Sequence, residues 1–209
     1  MEKEYGDFER DLDVAFFNYA HISGAVEMYM QVLESSDLQR AFSKSISGQE
    51  IEFKTIHRYM TLDSQNVEWY PTLPVPEVVK QKNDIIGLLY GIFLGRMIGS
   101  VDHYLSSVLK SKFGHLEKSG SCWDVFSQKA KVDLLACKNG AVVYSLFQER
   151  NKIEHNKAQI DQTFVDRMMK RGITHSYAVG DSIQKSHLDV LAAHAAIREF
   201  VADVDRLLT

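Results

Sequence analysis

Asn83-Asp84-Ile85-Ile86-Gly87-Leu88-Leu89-Tyr90-Gly91-Ile92-Phe93-Leu94-Gly95-Arg96-Met97-Ile98-Gly99-Ser100-Val101 is the stretch that decides the fold, because a glycine recurs at every fourth position of a nearly unbroken apolar run. A spacing of four keeps Gly87, Gly91, Gly95 and Gly99 on one ridge of a helix, and the pattern predicts that helix from about Asn83 to Leu109. A mid-helix glycine costs about 1 kcal/mol relative to alanine, so four of them cost roughly 3 to 4 kcal/mol of local preference. The expected compensation is a second helix packed unusually close against the ridge, with Ile86, Tyr90, Phe93, Leu94, Met97, Ile98 and Val101 filling its sides. The expected fold is therefore all-α: an up-and-down helical bundle with one long glycine-ridged helix and a less regular N-terminal region. Asp84 and Arg96 leave the apolar run short of the roughly eighteen to twenty residues that cross a bilayer, so no membrane span is expected. Arg96 itself is expected in a surface or interhelical ion pair, with contact to a phosphate as the alternative. Asp102 and His103 stay outside the candidate catalytic set, since no metal-site spacing surrounds them.

Working outward toward the N-terminus, Phe16, Tyr19, Ala20, Ser23, Val26, Tyr29, Met30 and Leu33 recur at threes and fours and predict a helix from near Asp11 to about Glu34. This aromatic row reads as core, with base stacking as the sharper alternative. Ser35-Ser36-Asp37 interrupts it, and Asp37 is the expected N-cap of a short helix over Leu38 to Ser45. Residues 46 to 76 allow two readings. Ile51, Phe53 and Ile56 suit a short strand, whereas Glu50 to Met60 suits a short helix with His57 and Arg58 on its polar side. Pro71, Pro74 and Pro76 make Asn66 to Pro76 extended or turning. That aromatic stretch, with Trp69 and Tyr70, either packs on the bundle or lines a groove beside a site.

Toward the C-terminus, Ser119 or Ser121 could cap a helix from about Cys122 to Cys137, and Lys138-Asn139-Gly140 is a turn signal before the next. Thr163 to Met169 predicts a short helix stopped at Gly172. Ser186, with Asp189 three residues on, is the expected cap of a final helix from His187 to Leu208. His187 and His194 stand seven apart without a third ligand at helical spacing. Cys122 and Cys137 are the only cysteines, too few for a disulfide framework, and read as reduced, buried thiols. The sequence opens without a signal-like segment, so a cytoplasmic protein is expected. A length of 209 residues with 45% apolar and 25% charged side chains suits one folded domain, residues 1 to 209. Within it, residues 1 to 80 are expected as an N-terminal extension packed on a core of residues 84 to 209.

The chemistry-bearing stretch is Gln148-Glu149-Arg150-Asn151-Lys152-Ile153-Glu154-His155-Asn156, at the polar end of the apolar segment Ala141 to Phe147. On a continuing helix Asn151 and His155 share a face, while Arg150 lies about 140° round from His155. A guanidinium fork that holds phosphoryl oxygens, an imidazole that moves a proton and an amide that orients both form a layout suited to a phosphodiester. The bland alternative is a helix C-terminus whose basic residues favour the dipole and cover the last carbonyls. Net charge is -4, from 24 basic and 28 acidic side chains, so attraction to a polyanion must be local. Between Glu149 and Arg171, six basic residues face four acidic ones, a mild surplus that a mixed solvated face would also give.

Arg150 followed by polar Asn151, four residues between arginine and histidine, and a long helical segment in front resemble the R-x4-6-H signature of the HEPN superfamily. Those are small all-helical domains that include metal-independent ribonucleases of toxin, phage-defence and RNA-processing systems. The resemblance covers residues 84 to 209 and departs from one group of toxins, those paired with a nucleotidyltransferase antitoxin, by having Lys157 where a tyrosine is common. It implies Arg150 and His155 as the catalytic pair, supported by Asn151. It also implies a homodimer that brings two such motifs together. Lys152, Asn156 and Lys157 flank the pair as candidate substrate-binding residues, and no metal or cofactor is expected. The implied function is a metal-independent endoribonuclease that cleaves single-stranded RNA through a 2′,3′-cyclic phosphate, with an antitoxin or regulatory protein as an unidentified further partner. The alternatives are a noncatalytic helical dimer that binds nucleic acid, a nucleotide or a partner protein, and a purely structural helical module.

Overall fold

Apolar spacing carries the chain through 33 residues before the first break, forming α1 (Glu2–Glu34). In the computed structural model the described residues are 2–50, 52, 55–56, 59–63, 66–69, 73–114, 122–155 and 158–208. They separate into two compact units, one of residues 1–19 and 89–209, the other of residues 20–88. The protein is an all-α, largely up-and-down helical bundle, joined among the described residues by two small antiparallel strand pairs.

The smaller unit holds the end of α1, then α2 (Ser36–Ser47), strands β1 (Thr55–Ile56), β2 (Tyr59–Asp63), β3 (Asn66–Trp69) and β4 (Leu73–Pro74), α3 (Val75–Lys80), and the start of α4 (Lys82–Phe113). The cap of α2 is Ser35, whose hydroxyl accepts from the Leu38 amide at 3.3 Å, and Asp37 instead sits in the first turn beside Arg40. The expected cap was two residues late because either side chain can satisfy an orphan amide and the backbone bends to the extended region at Ser35. Between residues 46 and 76 the chain chooses strands: β2 and β3 form a hairpin with Tyr59 opposite Trp69, and Thr55 of β1 lies opposite Pro74 of β4. His57, Arg58 and Tyr70 lie outside the described residues. Pro76 stands in the first turn of α3, where its missing N–H costs nothing. Met30, Leu33, Val75 and Val78 form this unit's small core.

The larger unit is built on α4, whose middle is buried through Tyr90, Phe93, Leu94, Met97, Ile98, Val101, Tyr104 and Leu105. At 32 residues α4 outruns the expected span, and a window within it reaches a mean hydropathy of 1.5. Length and composition alone would let it cross a membrane, and 47% of that window is buried inside the protein. Phe8 of α1 meets Tyr104 at 5.7 Å, and Tyr19 meets Phe93 at 5.6 Å, both in tilted or edge geometry. The next helix, α5 (Cys122–Ala130), stops short of Cys137 because Lys131 adopts a left-handed conformation, φ 55°. Leu134 and Cys137 remain buried, on a turn rather than a helix.

Asn139, at φ 58°, makes the elbow that starts α6 (Gly140–His155), as the Asn-Gly pair predicts. A Cβ on Gly140 would overlap the carbonyl oxygen of Leu134 and lie 2.9 Å from that of Leu135, so only glycine lets the chain turn this tightly. After α6 come α7 (Gln162–Lys170), capped by Asp161, and α8 (His187–Leu208). Ser186 and Asp189 cap α8 reciprocally: the Ser186 amide donates to Asp189 Oδ2 at 2.7 Å, and the Asp189 amide donates to Ser186 Oγ at 3.3 Å. Trp123 of α5 stacks on Phe200 of α8 at 5.4 Å and takes Tyr144 of α6 edge-on, tying three helices together.

Candidate functional site

The glycines of α4 explain where α6 lies. A Cβ on Gly91 would come within 3.0 Å of Ile153 Cγ2, and one on Gly95 within 3.3 Å of Glu154 Oε1 and 3.9 Å of Arg150 Cγ. The expected close approach therefore exists at two of the four glycines, and the helix that uses it is the one carrying the candidate motif. Gly87 and Gly99 meet nothing within 4 Å, so the ridge is not a continuous seam.

This approach brings Arg150 over α4. Its Nη1 donates to Asp102 Oδ2 at 3.2 Å, and its Nε donates to Glu154 Oε1 at 2.9 Å, leaving the side chain 25% exposed. Burial pushes the Asp102 carboxyl above the usual range; Arg150 pulls it back only in part, and Glu154 adds to the rise. His155, one residue past Glu154, is 76% exposed, with Nε2 3.9 Å from Glu154 Oε2. Arg150 and His155 thus do not meet directly within one chain. Glu154 stands between them, giving a row that runs from Asp102 of α4 through Arg150 and Glu154 to His155 at the end of α6. Asn151, a turn before His155, is half-buried and makes no side-chain hydrogen bond among the described residues.

The remaining candidates lie elsewhere. Lys152 is tied elsewhere: its ammonium donates to Asp161 Oδ2 at 2.7 Å, and the side chain is only 12% exposed. That bond and the Phe164 amide hold the Asp161 carboxyl below its ordinary range, so Lys152 is tied to the cap of α7. Asn156 and Lys157 fall outside the described residues. On the same side as Lys152, Gln148 accepts from Arg167 at 3.1 Å, and buried Glu149 pairs with Lys185 at 2.6 Å. Burial alone would pull the Lys185 ammonium down, but Glu149 and Tyr177 outweigh it and raise it. The polar half of α6 is therefore split in two: one side locked into α7 and the segment before α8, the other open at His155.

Sequence reasoning passed over Glu154 and Asp102. The first was legible as an Arg150–Glu154 pair four apart on a helix. The second was visible only as a carboxylate in an apolar helix, a hint that it had a cationic partner. Arg96, expected in an ion pair, has none among the described residues. His187 is hydrogen-bonded to Tyr19, and His194 stacks on Phe16 at 4.2 Å. Among the described residues no group of three or more His, Cys, Asp or Glu is placed to hold a metal ion. Comparison of the chain with protein-family models, with curated proteins and with solved structures found no match.

Proposed function

We propose that this protein is a metal-independent endoribonuclease of the HEPN type, cytoplasmic, acting on single-stranded RNA as a homodimer in which two α6 ends face each other. The observation that carries the reading is the open end of α6, where an arginine held by Asp102 and a solvent-exposed histidine flank Glu154. A phosphodiester entering there displaces Glu154 from Arg150 Nε, while Asp102 keeps the other edge of the guanidinium oriented. A ribose 2′-oxygen then attacks the adjacent phosphorus, Arg150 offsets charge on the phosphoryl oxygens, and the 5′-oxygen leaves with a proton from His155. The products are a 2′,3′-cyclic phosphate and a free 5′-hydroxyl. One histidine per chain supplies either the base or the acid, and a second copy supplies the other. Asn151 orients the histidine, and Asn156 and Lys157 hold flanking phosphates. A toxin or phage-defence setting, with an antitoxin or regulatory protein as a further partner, follows from the same resemblance.

A second reading has its own support, because an arginine shared by two carboxylates is also what a helix-packing ion pair looks like. On that reading the protein is a noncatalytic helical dimer that binds nucleic acid, a nucleotide or a partner protein. A product assay separates the two: wild type, H155A and R150K are incubated with one mixed-sequence RNA in excess EDTA and scored for cyclic-phosphate ends. The nuclease reading expects cleavage by wild type and none of DNA, which lacks the 2′-hydroxyl. It expects a loss of roughly 10²- to 10⁴-fold in H155A and a strong loss in R150K, where a point charge replaces the fork. Equal cleavage by all three would assign the activity to another protein in the sample. No cleavage by dimeric wild type on several RNAs would overturn the nuclease reading and leave a noncatalytic one.

A further inference from the structure

A second arginine and histidine, Arg96 and His103, stand on the adjoining face of α4. Arg96 follows Gly95, whose empty side-chain position faces α6, so it points about 100° round the helix from the motif. His103 is two turns further on, and both side chains are exposed. Neither has a hydrogen bond, ion pair or ring partner among the described residues. Between them the helix presents Gly99 and Ser100, and the four residues line a cleft of about 250 Å³ whose opposite wall is Asp11 and Ala15 of α1. Gly99 makes the floor: a Cβ there would meet nothing within 4 Å, so the glycine is not needed for packing and its missing side chain keeps the cleft open. Asp11 is the one carboxylate on the wall, and Arg10 shares its charge at 3.9 Å.

We propose that this cleft is an anion site that takes a phosphodiester group of single-stranded RNA at a position beyond the scissile one, which rests on the ribonuclease reading for the identity of its ligand. The guanidinium fork of Arg96 matches two phosphoryl oxygens, an arrangement that a solvated surface lysine would not supply. From the far end His103 reaches the same group, while the Ser100 hydroxyl, which donates to the Met97 carbonyl at 2.6 Å, has no proton left to offer it. Asp11 can accept from a ribose hydroxyl next to that phosphate, so a carboxylate on the wall suits RNA better than a bare anion. The volume fits a phosphate with its sugar rather than a whole drug-sized ligand, whose pockets begin at about 300 Å³. Arg150 Cγ lies beside Gly95 and Arg96 is the next residue, so the two arginines stem from within about one helix diameter of each other, 10 to 12 Å. A strand held at Arg150 therefore runs naturally onto Arg96.

Two measurements on the full chain test this, and they fail separately. In the first, inorganic phosphate is titrated while backbone amide resonances are followed. Saturable shifts are expected at Arg96, Gly99, Ser100 and His103, and they should vanish in Arg96→Gln. Absence of shifts there in wild type overturns the anion site whatever the protein does to RNA. In the second, fluorescence anisotropy compares an eight-nucleotide RNA with a dinucleotide. The double variant R96Q/H103Q should lower affinity for the longer RNA about tenfold and make its salt dependence shallower by about one unit of slope, with the dinucleotide changed less than twofold. Unchanged affinity for the longer RNA, alongside phosphate shifts in wild type, would make the cleft a site for free phosphate or a small phosphate ester and overturn its role in holding RNA. If wild type binds neither RNA, the ribonuclease reading fails by itself, and the claim on RNA goes with it.

Discussion

Two faces of α4, one residue apart in register, use the same small side chain for opposite ends. Toward α6 the helix presents Gly91, Gly95 and Asp102, and the glycines are filled by Ile153, Glu154 and the stem of Arg150. Toward the α1 cleft it presents Arg96, Gly99 and His103, and the space above Gly99 is empty. The spacing of four that makes these glycines look like one ridge therefore joins two different devices. Periodicity reports which residues share a side of a helix; it does not report whether that side is covered.

The largest effect should come from the elbow that delivers α6 to the first face. Gly140→Ala sets a methyl group against the Leu134 carbonyl, a backbone atom that cannot step aside, and should cost about 3 kcal/mol or more in urea unfolding. Next is the covered face itself. Gly91→Leu drives a large side chain into Ile153 and should cost roughly 1 to 3 kcal/mol by the same measurement. A loss under about 0.5 kcal/mol for Gly91→Leu would mean that α6 can move off α4 freely, and the account of Arg150 being held over Asp102 would go with it.

The sequence made the first face readable and the second misleading. A glycine every four residues on an apolar run carries a helix and a close neighbour, and the Asn139-Gly140 turn carries the direction change, because both depend on backbone sterics that are local. The cap at Ser186 was legible for the same reason, whereas Ser35 and Asp37 offered equivalent hydroxyl and carboxylate acceptors and the local pattern could not choose. The partners of Arg150 and Lys152 were not legible. Asp102 is 48 residues away from Arg150, and Asp161 reaches Lys152 only because the chain turns back after α6. Lys152, taken with the motif from its position, is paired instead with the cap of α7. Arg96 runs the other way: a charge in an apolar helix suggested an ion pair, and the described structure leaves it facing an open cleft.

A smaller and opposite change should come from the open face. Gly99→Ala adds a methyl group where no atom lies within 4 Å and removes the mid-helix glycine penalty, so it should stabilise the protein by about 0.4 to 1 kcal/mol. Gly91→Ala should gain less or lose, since its methyl reaches Ile153 at 3.0 Å. If the two alanine variants shift the urea midpoint equally, the covered and open faces are not energetically distinct.

The smallest effect, and the most specific, concerns the carboxylate that joins α4 to α6. Burial raises the Asp102 carboxyl in the folded state despite the pull of Arg150, so the folded protein holds that proton to higher pH than the unfolded chain does. The stability this group contributes is therefore fully present below the unfolded value, near 3.9, and is lost as pH rises through the raised folded value. Most aspartates in ion pairs do the reverse. Asp102→Asn cannot titrate, so the stability of wild type minus that of the variant should fall as pH rises from the unfolded value toward the raised folded one and level off above it. Urea midpoints of both proteins across that range read the difference directly. A difference that grows with pH would mean that the attraction of Arg150 outweighs the cost of burial, and that the contact between α6 and α4 is held by charge more than by the fit of Ile153 against Gly91.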